Sequence, residues 1–269
     1  MLFSVVFSLL LISKQQFGSP HAPLFNFLPG EWIHDIGVAL FVVVGLSATF
    51  GMLTMFLRFH SECLRKNVAL RLSALPGAFV QALTDAFLHT RFQRCDAEER
   101  TPPSPAEPWY RRAWIVHACV MGGFAAMLLA TTLDFLLKPI GSPVAPWYPM
   151  RILGASGGLV CLYGLAIMLG RRWRAQKVPW RNSSFADWFF PLLLSVTVFT
   201  GLVTEVAVYA PMGAFGHAFF FMHVVLAMDL VALLPLTKFA HVLYRTLALA
   251  LFAWRHAPAP EAVAADAQV

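Results

Sequence analysis

Residues 221–241 read FMHVVLAMDLVALLPLTKFAH. The run is almost wholly apolar, yet it holds His223, Asp229, Pro235 and His241. As a helix rising about 1.5 Å per residue, twenty-one residues would cover roughly 30 Å, the thickness of a bilayer's hydrocarbon core. The stretch therefore predicts a membrane-spanning helix, within a span at 216–238.

Four more stretches read the same way, at 34–57, 113–137, 152–170 and 186–208. Across 269 residues, 58% are hydrophobic and 13% charged, with mean hydropathy +0.66. Soluble domains carry about 25% charged residues, so that class is excluded. The expected fold is an all-α integral membrane protein, a five-helix transmembrane bundle. The opening MLFSVVFSLLLI is too short to span and has no Lys or Arg before it, so residues 1–33 read as an interfacial segment.

Lys and Arg set the topology. Residues 58–112 carry nine, residues 171–184 five and the tail from Lys238 three; the other side has only Lys14, Lys138 and Arg151. The positive-inside rule then places the N-terminus outside and the C-terminus in the cytoplasm, in the cytoplasmic (inner) membrane. The sequence pI of 9.4 reflects the same asymmetry and does not indicate nucleic acid. Residues 58–112 form a cytoplasmic amphipathic loop ending in the proline-rich EERTPPSPAEPW, either an interfacial helix pair or a docking platform. Residues 113–256 form a four-span bundle, and 257–269 a disordered tail. None of the four cysteines stands in a CxxC, so no iron–sulfur or zinc motif is readable.

His223 and His241 lie eighteen residues apart, five helical turns. On one continuous helix they would share a stripe at depths about 27 Å apart, with a kink at Pro235. Intramembrane polar groups are costly and call for a function. Neutral imidazole is a good axial ligand for haem iron, and two stacked sites would explain the stripe. The alternative for each histidine is a hydrogen-bonded packing residue. His117 begins the second span from the cytoplasmic side, at the depth expected for His241, which suggests a His117–Fe–His241 pair. At the depth of His223 the second span offers Met127, either an axial ligand or a core gap-filler. Arg112 and Lys238 lie where inner haem propionates would need cations. Arg151 and Asp134, with Glu205, fall near outer helix ends and are candidates for quinone or propionate contact; the alternative is a solvated helix end. Asp229, near mid-membrane, suits tuning a haem, relaying a proton, or a plain carboxylic-acid hydrogen bond.

LGASGGLVCLYGLAIMLGRRW, ADWFFPLLLSVTVFTGLVTE and MHVVLAMDLVALLPLTKFAHVLYR resemble the membrane gamma subunit of respiratory nitrate reductase. The likeness covers roughly residues 110–250, and the long first loop is similar to the relatives in heterodisulfide reductase and dissimilatory sulfite reductase complexes. The resemblance implies a membrane cytochrome b moving electrons between menaquinone or ubiquinone and a cytoplasmic iron–sulfur or reductase subunit. It implies haem b, one or two per chain, with His117, His223 and His241 matching three of four ligands and Met127 standing where the fourth is a histidine. No catalytic side chain follows, since the redox chemistry belongs to the cofactors. A haem-free membrane anchor for a cytoplasmic redox enzyme is the rival expectation.

Overall fold

The computed structural model of the chain describes residues 30–68, 70–87, 108–137, 145–174, 184–210, 212–237 and 240–257. Regular structure among them is wholly helical. The α-helices are α1 (Gly30–Arg65), α2 (Leu75–Phe87), α3 (Ala113–Leu137), α4 (Pro149–Arg174), α5 (Phe185–Tyr209), α6 (Gly213–Leu233) and α7 (His241–Arg255). Five stretches are long and apolar enough to cross a membrane: Asp35–Arg65, Ala113–Asp134, Pro149–Arg174, Asp187–Tyr209 and Gly213–Arg255.

Two boundaries differ most from expectation. α1 runs on to Arg65, past the predicted end at 57. Arg58, Glu62 and Arg65 end an apolar run but are good helix formers, and Arg65 pairs with Glu62 one turn earlier at 2.8 Å. Charge there closes the greasy stretch without closing the helix. The second difference is larger. α6 stops at Leu233, a 3₁₀ turn covers Leu234–Leu236, and α7 starts afresh at His241. Pro235 has no N–H to donate and its ring crowds the carbonyl four residues back, so it ends the helix instead of bending it. His223 and His241 therefore stand on separate helices, and the single continuous helix on which the shared stripe was expected is broken.

The described residues fall into two compact units, one within Met1–Val44 and Arg100–Lys238, the other within Gly45–Glu99 and Phe239–Val269. In the first, α3 packs on α4, α4 on α5 and α5 on α6. Small residues let α3 and α4 touch backbone to backbone. A Cβ at Gly123 would lie 2.5 Å from the Gly157 carbonyl oxygen, and one at Gly157 would lie 2.9 Å from Ala126 Cβ. In lipid, where hydrophobicity gives no drive to pair helices, such close approach supplies the packing energy. Cys161, Leu165, Leu194 and Val198 are buried beside this crossing, with Phe124, Met127 and Phe190 packed around them.

Charges join α4 to α5 at both ends. Arg151 Nη1 reaches Glu205 Oε2 at 2.6 Å, and Arg172 Nη1 lies 3.7 Å from Asp187 Oδ1. Asp187 also accepts the backbone N–H of Ser184 at 2.8 Å, capping the first turn of α5. The second unit is built differently. Ala78 of α2 and Leu251 and Trp254 of α7 are buried together, with Met55, Phe56 and Phe59 of α1 against them. Trp254 Nε1 donates to the Arg71 carbonyl at 2.7 Å, which satisfies the indole's single polar group. The amphipathic helix expected after the first span is α2, carrying Leu83 and Phe87; Phe92, Arg91 and Arg94 lie outside the described residues.

Candidate functional site

The buried polar side chains among the described residues are Thr197, Thr200 and Thr204 of α5 and His217 and Asp229 of α6. They mark the α5–α6 pair as the polar centre of a greasy bundle. The three threonines recur at helical spacing in TVFTGLVTE, so they share one face of α5. Each hydroxyl donates to a carbonyl one turn back: Thr197 to Leu193 at 2.7 Å, Thr200 to Val196 at 2.8 Å, Thr204 to Thr200 at 2.8 Å. A hydroxyl satisfied by its own helix can be buried in lipid without a partner from elsewhere.

His223 meets this face. Its Nδ1 lies 3.0 Å from the Thr197 carbonyl oxygen and 3.4 Å from Thr200 Oγ1. A carbonyl only accepts, so Nδ1 carries the hydrogen and donates it. In the neutral ring the lone pair then sits on Nε2. Gly201 makes the seat, since a Cβ there would lie 2.8 Å from His223 Cε1. Thr200, Thr197 and Gly201 thus orient one imidazole and fix its tautomer.

His217 is buried, and its Nδ1 bonds the Gly213 carbonyl of its own helix at 2.8 Å. His217, His223 and Asp229 follow at intervals of six residues, which at about 100° per residue turns each roughly 120° from the last. They are spread around α6 and do not line a single channel wall.

The other expected residues are scattered. His117, near the start of α3, and His241, the first residue of α7, are both exposed and belong to different units. Met127 is half-buried in the Cys161 cluster. Arg112 lies half-buried just before α3, and Asp134 half-buried near its end. Asp229 is buried on α6. Lys238 lies outside the described residues. Arg151 is joined to Glu205, and its guanidinium lies 5.3 Å from the centre of the Tyr209 ring. No group of three or more His, Cys, Asp or Glu is gathered for a metal ion among the described residues. Sequence reading passed over Thr197, Thr200, Gly201 and Tyr209. The Thr/Gly spacing in TVFTGLVTE was the available signal.

The family model for citrate utilization protein B matches residues 4–262. The chain belongs to the citrate utilization protein B family. No curated protein and no solved structure matches it. Membership over nearly the whole chain overturns the resemblance to the nitrate reductase gamma subunit, and with it the role of a cytochrome b carrying electrons between quinone and an iron–sulfur partner. The rival expectation, a haem-free anchor for a cytoplasmic redox enzyme, gives way to the same family membership. That likeness rested on three apolar stretches, the last of which holds His223 and His241, and in this citrate utilization protein B family member the two histidines sit on helices separated by Pro235.

Proposed function

We propose that this chain serves the use of citrate from within the cytoplasmic membrane, with the α5–α6 pair as its working centre. The family match across residues 4–262 carries the reading, and five apolar helices support the location. His217, His223 and Asp229 support the choice of centre, because ionisable groups inside a span are costly and tend to be kept for a task. The Lys and Arg distribution supports an N-terminus outside and a C-terminus in the cytoplasm. Deletion of the gene is expected to abolish growth on citrate as sole carbon source and spare growth on glucose. Wild-type protein should restore growth, and His223→Ala and Asp229→Asn should not. Unchanged growth of the deletion strain on citrate would end this reading.

A second reading concerns what His223 holds. With Nδ1–H given to Thr197, the Nε2 lone pair suits a metal-bound imidazole, whose other nitrogen commonly donates to a carbonyl. We propose haem b as that group, with His223 as the ligand that Thr197 and Gly201 hold ready. Haem would supply an iron centre; the chain's part is to orient the ring through Thr197 and Gly201. A pyridine haemochrome assay on the purified protein reads this directly. Haem present in wild type and lost in His223→Ala is expected, and a folded wild type from haem-sufficient cells with none sinks the idea.

A further inference from the structure

A cleft of about 420 Å³ opens along α4 and α5, lined by Arg151, Ile152, Ala155, Leu159, Glu205 and Val206 among others. Among the described residues its charged lining is Arg151 and Glu205, joined at 2.6 Å across the two helices. The pair uses one guanidinium nitrogen, Nη1. Arg151 Nε is buried and has no hydrogen-bond partner among the described residues. Ile152, Leu159 and Val206 are 55%, 61% and 57% exposed on two candidate spans, so hydrocarbon is their natural surrounding.

Those features select the occupant. A free polyanion such as citrate would meet apolar walls and one cation already neutralised. An anionic lipid could set its phosphate on Arg151 but would bring no cation to the Glu205 carboxylate. A headgroup bearing both signs matches both halves of the pair, phosphate to Arg151 and ammonium to Glu205. Guanidinium suits phosphate through paired N–H donors, and this one has donors to spare. Glu205 as an acceptor favours a primary ammonium, with three N–H groups, over a quaternary one with none. We propose that the cleft holds a phosphatidylethanolamine-type lipid, headgroup on Arg151 and Glu205 and acyl chain along Ile152, Leu159 and Val206. The proposal is independent of the citrate reading.

Full-length protein in detergent, stripped of lipid and then given equal amounts of phosphatidylethanolamine, phosphatidylcholine or phosphatidylglycerol, is read by native mass spectrometry. Wild type is expected to retain one ethanolamine lipid severalfold better than either of the others. Glu205→Gln should keep lipid but lose the preference for ethanolamine over choline headgroups. Arg151→Gln should lose retention. If Arg151→Gln does not fold, the selectivity of Glu205→Gln decides, since that change keeps side-chain size. Equal or better retention of phosphatidylglycerol by wild type, no retained lipid, an unchanged pattern in the variants, or stabilisation by citrate lost in Arg151→Gln would each overturn the proposal.

Discussion

Gly201 is the smallest residue on the buried face of α5 and the one the His223 ring leans on. Replacing it by Val would drive a branched side chain into the imidazole, whose nearest ring atom stands 2.8 Å from where even a Cβ would be. Overpacking of this kind costs about 1–3 kcal/mol. Gly201→Val is expected to lower the unfolding midpoint in detergent, while Gly122→Val, where a Cβ meets nothing within 4 Å, leaves it near wild type. Equal effects at the two glycines would show that the ring has no fixed seat. The histidine itself was legible in the sequence, because an imidazole in an apolar run stands out. Its partner was not. The group that orients it is the backbone carbonyl of Thr197, and every residue type carries one. Met127, expected as either an axial ligand or a gap-filler, is half-buried among Cys161 and its neighbours, where an adaptable thioether also serves packing.

Helices were legible to the extent that hydropathy and helicity agree. They agree for α3, predicted at 113–137 and found at Ala113–Leu137, where the apolar run and the helix stop together. They part at α1, where the apolar run ends before Arg58 and the helix continues through Glu62 to Arg65. They part again after Leu233, where the apolar run continues and the helix does not. A hydropathy window averages over Pro235, whereas the backbone meets it at a single missing N–H. The α3–α4 contact lay between these cases. The small residues GASGG at 154–158 permit a close crossing, and Gly157 provides it. Its counterpart, Gly123, could be named only once the register of the two helices was known.

For the molecule as a whole, composition sufficed to read an all-helical chain with five apolar spans. Family required comparison across nearly the full length. A likeness over part of the chain, in three apolar stretches within residues 110–250, pointed elsewhere. The proposed orientation is checked with reporters fused after Val269. A cytoplasmic C-terminus predicts a fluorescent fusion and an inactive periplasmic phosphatase fusion; the reverse pattern would place the tail outside, against the Lys/Arg count.

The ion pairs at the two ends of α4 and α5 bear on how the chain enters its membrane. Arg151 and Glu205 are 54 residues apart, so the arginine emerges from the ribosome well before its carboxylate. Synthesis at about 5–20 residues per second leaves that cation uncompensated for several seconds. Arg172 waits less, since Asp187 follows after a short connection. The hairpin is thus tied first at its turn and last at its open end. Entering lipid as one neutralised unit would spare the two spans the cost of an unpaired charge, which either span alone would meet.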